Sequence, residues 1–172
     1  MTIQEDKLYD VYMPSVLNSK VILSITEVGK NIKQNLEKTI QSNTEGKCIP
    51  EGFIKPDSVR ILTYSSGNVI NENVEFQTVY ECMICHPVEG MKMACNAKTI
   101  TKAGVHAEII DETGSVPVSI FIARDHHFTD KHFANIKEGD KLIISVIGCR
   151  YELHDKYISV IAKLHHDNKN AM

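Results

Sequence analysis

Residues 91–122 read MKMACNAKTITKAGVHAEIIDETGSVPVSIFI, and how this stretch divides decides the fold. Met91, Met93, Cys95 and Ala97 alternate with Lys92, Ala94, Asn96 and Lys98. Val105, Ala107 and Ile109 alternate with His106, Glu108 and Ile110; Val116, Val118, Ile120 and Ile122 alternate with Pro117, Ser119 and Phe121. Successive side chains of a strand point to opposite faces, so each run reads as one half-buried strand. The pattern returns twice more, at Leu142, Ile144 and Val146 and at Ile158, Val160, Ala162 and Leu164. Five short strands with almost no helix between residues 91 and 164 is the strand count of an OB-type barrel, whose closure protects its edges. The gap from Arg124 to Asp140 has room for the short helix such a barrel expects. His165 to Met172 reads as a polar tail.

Upstream of Gly90 the period is different. Val21-Ile22-Leu23-Ser24-Ile25-Thr26 is rich in β-branched residues and reads as a strand. Val28, Ile32, Leu36 and Ile40 then recur every fourth residue, with Lys30, Lys33, Gln34, Glu37 and Lys38 among them. That is one apolar stripe on a helix, and the neighbouring strands are where it can lie. Ser42-Asn43 ends the helix, with Gly46 beyond. Cys48 to Pro56, broken by Pro50 and Gly52, suits an irregular or edge segment. Ser58 to Leu62 and Val74 to Ile84 read as strands, with Ser65-Ser66-Gly67-Asn68 between them as a hairpin-closing turn. Met1 to Ser19 holds no sustained period and contains Pro14, so it reads as an entry segment. The expected fold is α+β: an antiparallel sheet with one helix over residues 1–89, then a five-stranded barrel over 90–172, divided at Pro87-Val88-Glu89-Gly90.

Composition narrows the class. The chain has 172 residues, 42% hydrophobic and 24% charged, as a globular protein with room for two small cores would. No apolar run approaches the roughly 18 to 20 residues of a bilayer span, so no membrane partner is expected. The opening MTIQEDKLYD lacks the basic-then-apolar pattern of a secretory leader. Five unevenly spaced cysteines then read as reduced thiols of a cytosolic or nuclear protein. Net charge is −3, with eight Lys/Arg against twelve Asp/Glu in residues 1–90 and eleven against ten in 91–172. Neither half carries the basic excess that holds nucleic acid by charge alone, so any such contact is weak or assisted by a larger assembly.

A series of segments adds a family resemblance. ILSITEVGKNIKQNLEKTI (22–40) is followed by EGKC (45–48), GFI (52–54) and a Ser-Gly turn. FQTVYECMICHPVEGM (76–91), KAGVHAEI (102–109) and IKEGDKLIISVIGCRYELHDKYISVIAKL (136–164) come next. In order and spacing this resembles the stalk subunit of archaeal and eukaryotic multisubunit DNA-directed RNA polymerases, the family of the seventh subunit of polymerase II. The resemblance covers about residues 18 to 165. It implies a truncated RNP-like N-terminal domain, an S1-type OB barrel, docking on the polymerase core near the clamp, pairing with a second stalk subunit, and contact of the barrel with nascent single-stranded RNA. The short barrel loops and the unmatched first 15 or so residues depart from the cellular pattern. With abundant Ile, Asn and Lys, they suit a version from a large DNA virus. The expected location is nuclear for a cellular protein, and host cytoplasm or virion for a viral one.

Candidate sites follow from alternation and from the resemblance. His106 and Phe121 fall in the polar register of the second and third barrel strands, the usual nucleic-acid face of an OB fold, where aromatic rings stack on bases. Phe121 reads equally well as packing against the other domain, and His106 as a plain surface histidine. Lys98, Lys102, Arg124 and Arg150 are candidate phosphate contacts or simply solvated cations. For docking on the core, the irregular Gly52-Phe53 and the turn Ser66-Gly67-Asn68 are the candidates.

Two motifs carry less than they suggest. Cys82-Met83-Ile84-Cys85-His86 has the C-x-x-C-H spacing of haem attachment and half of a zinc site. In an extended strand, however, residues three apart face opposite sides, so buried thiols are the better reading. Asp125, His126, His127 and His132 read as a loop surface rather than a metal cluster. No P-loop, G-x-S-x-G, H-E-x-x-H or paired-carboxylate motif is present. No catalytic residue, metal or cofactor is therefore expected of this chain, and catalytic magnesium would belong to another subunit. Two other classes stay open: a free S1 protein binding single-stranded RNA in translation or RNA decay, and an adaptor whose barrel never meets RNA.

Overall fold

The computed structural model describes residues 8–165. An antiparallel sheet is built around one long central strand. β6 (Asn73–Cys85) is flanked along one side by β1 (Met13–Ser24) and along the other by β3 (Gly52–Ile54), β4 (Arg60–Tyr64) and β5 (Asn68–Ile70) in succession, with β2 (Cys48–Ile49) outside β3. Helix α1 (Ile32–Thr44) lies on one face, burying Leu36 and Ile40 against Val21, Leu23, Phe76 and Tyr80. Its carboxylates also serve the sheet: Glu37 Oε2 accepts from Ile61 N–H at 3.1 Å and Glu45 Oε1 from Val59 N–H at 3.2 Å.

Three details differ from the sequence reading. Residues 13–19 are strand, not entry segment, because β1 pairs with β6 from Met13↔Ile84 to Ser24↔Asn73. Ser15 and Ser19 occupy the helix-side register and dilute the apolar alternation, while Pro14 is tolerated near the start of an edge strand. Helix α1 starts at Ile32; Val28 precedes it and still packs on the same core. The hairpin turn is Asn71-Glu72 rather than Ser65–Asn68, with Asn71 in the left-handed region at φ 56°. Ser65-Ser66-Gly67 instead forms a bend between β4 and β5, which pair with the same side of β6. Gly67 permits this bend: a Cβ there would sit 2.4 Å from Val74 Cγ1.

The second half is a closed barrel in the order β10-β11-β9-β8-β7. Its strands are β7 (Lys92–Ile100), β8 (Gly104–Ile109), β9 (Val118–Ala123), β10 (Lys141–Arg150) and β11 (Ile158–Leu164). All pairs are antiparallel except β9 with β11, and β10 closes the ring on β7. This is an OB-like barrel, and the molecule is α+β as expected. The interior is the apolar register read from the sequence: Met93, Cys95, Val105, Ile109, Ile120, Ile122, Ile144 and Val160 are all buried. The short helix α2 (Lys131–Ala134) inserts Phe133 into this core, and Asp130 caps it by accepting from His132 and Phe133 N–H.

The two sheets share a core. Cys48, Phe53 and Cys85 join the barrel's buried cluster, and Tyr12 stacks on Phe53 with ring centroids 6.4 Å apart. Cys48 exchanges backbone bonds with the β10–β11 turn, donating to Asp155 O at 2.7 Å and accepting from His154 N–H at 2.8 Å. Tyr151 OH donates to Pro50 O at 2.8 Å. Among the described residues no helix is long and apolar enough to cross a membrane.

Candidate nucleic-acid interface

Phe121 and His106 stand directly opposite each other on β9 and β8, on the outer face of the barrel. Their ring centroids are 5.0 Å apart with planes at 47°. The Phe121 ring also overlies Gly104: a Cβ there would lie 3.1 Å from Phe121 Cζ and 2.2 Å from Ile122 O. One side of the half-buried ring is therefore held by the barrel's own residues. Ile161 of β11, 53% exposed, continues the row in register with Phe121. The next outward row places Glu108, Ser119, Ser159 and Arg150 side by side across four strands. An aromatic pair extended by an exposed isoleucine, with hydroxyls beside it, offers a surface on which unpaired bases can stack.

The four candidate cations are differently employed. Lys102 is exposed at the β7–β8 turn. Lys98, at a bulge in β7, pairs with Glu108 at 3.4 Å. Arg150 is exposed, with Glu152 3.7 Å away. Arg124 is committed to the fold: Nε donates to Lys102 O and Nη2 to Thr101 O, each at 3.0 Å, and its guanidinium lies 5.2 Å from the Phe133 ring centre. That geometry makes it a clamp on the β7–β8 turn rather than a free phosphate contact.

The docking candidates also separate. Ser66, Gly67 and Asn68 are exposed. Gly52 and Phe53 are buried, which corrects the expectation that they form a surface contact. Phe53 is 2% exposed in the core between the two sheets. Gly52 is set against the Cys85 carbonyl so closely, at φ +142°, that a Cβ would lie 2.3 Å from its oxygen. A Gly-Phe pair flanked by prolines looks like a loop in sequence, and only its pairing with β6 draws it inside.

The thiols fall in two places. Cys82 belongs to the helix-side core and Cys85 to the core shared with the barrel, so the two do not share a site. Burial pushes the thiols of Cys85 and Cys95 up to about 12, and those of Cys48 and Cys82 to about 11, which leaves them protonated and unreactive near neutrality.

Tyr12 and Asp111 form a polar latch that sequence reasoning missed, since the two residues lie in different halves of the chain. Tyr12 OH donates to Asp111 Oδ2 at 2.6 Å, and Lys55 Nζ sits 5.4 Å from the Tyr12 ring centre. Burial works to raise the Asp111 carboxyl. Hydrogen bonds from Tyr12, from Thr113 Oγ1 and from the N–H groups of Ser115 and Thr113 outweigh it and hold the carboxyl below the usual range.

His127 is likewise structural. Its Nε2 accepts from Leu164 N–H at 3.0 Å, which leaves Nδ1 to donate to Ala123 O at 2.7 Å, and its ring stacks on Phe133 at 4.7 Å.

No protein-family model matches the chain. It is 24% identical over 164 residues, 90% of this chain and 82% of the relative, to the "Putative DNA-directed RNA polymerase subunit L376" of Acanthamoeba polyphaga mimivirus.

Proposed function

We propose that this chain is a non-catalytic stalk subunit of a DNA-directed RNA polymerase of a large DNA virus. The half over residues 1–89 docks on the polymerase core near the clamp, in company with a second stalk subunit. The half over 90–172 presents its barrel to nascent single-stranded RNA. The place of action is then the host cytoplasm or the virion rather than the nucleus.

The observation that carries this reading is an outward-facing His106/Phe121 pair on an OB-like barrel in a chain whose mimivirus relative is named as a polymerase subunit. The near-neutral charge agrees with it. A barrel held near an RNA exit meets transcript at high local concentration, so weak affinity suffices. On the other half, the exposed bend at Ser66, Gly67 and Asn68 is the docking candidate, held on a sheet backed by a helix.

Purification of the tagged full chain under low salt, with identification of co-eluting proteins, tests the assembly role. The large polymerase subunits are expected to co-elute, and their absence would end the proposal. RNA contact is tested by Phe121→Ala within the assembled polymerase. Crosslinking of nascent RNA to this subunit should fall about 5- to 150-fold, the loss of roughly 1 to 3 kcal/mol for one stacked base. Unchanged crosslinking would make the chain a structural adaptor.

A further inference from the structure

Next to the aromatic pair, the barrel carries a groove of about 520 Å³ that the reading above leaves unused. Its walls include His126, Thr129, His132, Ile147 and Lys163. Each is placed by a definite feature of the fold. Ile147 is thrust outward by the β-bulge between Val146 and Gly148 and is 39% exposed. Lys163 points outward on β11, two residues beyond Ile161, which is in register with Phe121. His127 ties the segment after β9 to Leu164 through both ring nitrogens and fixes the floor. Phe128, next in the chain, is left 79% exposed at the rim.

We propose that this groove is a second nucleotide subsite for single-stranded RNA, continuous with the Phe121 platform; it rests on the RNA-contact reading above. Phe128 supplies a stacking face, Lys163 meets a phosphate, and the imidazoles of His126 and His132 with the Thr129 hydroxyl offer donors and acceptors to a base edge. The volume falls in the roughly 300 to 1,000 Å³ range of small-ligand sites. From Phe121 the groove is one strand across and two residues along, about 8 Å by strand geometry. That is about two steps of a stacked strand at roughly 3.4 Å each. The Asp130 carboxylate also borders the groove, but its Oδ1 is turned to the N–H groups of His132 and Phe133. A protein-docking face would be a broad apolar patch. Here Phe128 and Ile147 stand among imidazoles, a hydroxyl and an ammonium, which favours a nucleotide.

The test uses the full chain, fluorescence anisotropy at low salt, and two uridine oligomers, one long enough only for the platform and one reaching the groove. Phe128→Ala should weaken the longer oligomer about 5- to 150-fold and leave the shorter one unchanged. Lys163→Gln should flatten the salt dependence for the longer oligomer by about 0.7 in log–log slope, one phosphate's worth. Equal affinity of both variants and the unaltered chain for the longer oligomer, with Phe121→Ala weakening both lengths, overturns the subsite and leaves the platform standing. Failure of the unaltered chain to bind either oligomer sinks both. Intact RNA binding in Phe128→Ala, coupled to loss of the chain from the polymerase, would make the groove a protein contact and overturn the proposal.

Discussion

Phe53→Ala separates a structural residue from a docking residue. The ring is 2% exposed, lies in the core shared by sheet and barrel, and stacks on Tyr12 at 6.4 Å. Truncating such a ring removes its transfer free energy and leaves a cavity, about 3 to 5 kcal/mol for Phe→Ala in a core. The backbone bonds of Cys48 to Asp155 and His154 hold the walls apart and limit collapse into that cavity. A single domain of this size loses about 2 to 4 °C of Tm per kcal/mol, so the melting temperature should fall by roughly 6 to 20 °C. Thermal unfolding followed by far-ultraviolet circular dichroism measures it directly. Phe53→Leu, which keeps most of the volume, should recover the larger part of the loss. A Tm for Phe53→Ala within about 2 °C of the unaltered chain, together with loss of polymerase binding, would refute the reasoning and return Phe53 to the docking surface.

Other consequences are as direct. The Asp111 carboxyl is held below its ordinary range, so its latch to Tyr12 contributes fully above about pH 4 and is lost as pH falls through the lowered value. Asp111→Asn should therefore lower the urea midpoint at neutral pH and shrink its fall toward pH 2; an acid limb as steep as that of the unaltered chain would contradict this. His127→Phe keeps the ring on Phe133 but strands the Ala123 carbonyl and the Leu164 N–H. A loss of about 1 to 3 kcal/mol in denaturant unfolding is expected, and no change would show that both groups find other partners. Gly104→Ala places a Cβ against Ile122 O and under the Phe121 ring, so it should weaken RNA binding and stability together; loss of neither would mean the ring is not seated there.

The barrel was the most legible part of the chain, because alternation is a local signal that burial of one face enforces strand by strand. Met93, Cys95, Val105, Ile120 and Ile144 lie inside as their register required, and His106 and Phe121 outside. Helix α1 was legible for the same reason, through Leu36 and Ile40. β1 was hidden in part because Ser15 and Ser19 interrupt its inner register, and its pairing with β6 is a long-range contact that no local pattern reports. The turn at Asn71 was missed because Ser-Ser-Gly-Asn carries the stronger local turn chemistry, yet that segment only bends a strand beside β6.

Residue types and periodicities, which act over a few neighbours, determined the α+β class, the five barrel strands and the outward faces of His106 and Phe121. What the side chains then do depended on which distant segments meet. Only the tertiary structure placed Phe53 between the two sheets, turned Arg124 onto two backbone carbonyls, joined Tyr12 to Asp111 and opened the groove beside Lys163. Those contacts arise from chain closure across many residues, and no short-range pattern encodes which partner a charged or aromatic side chain will find.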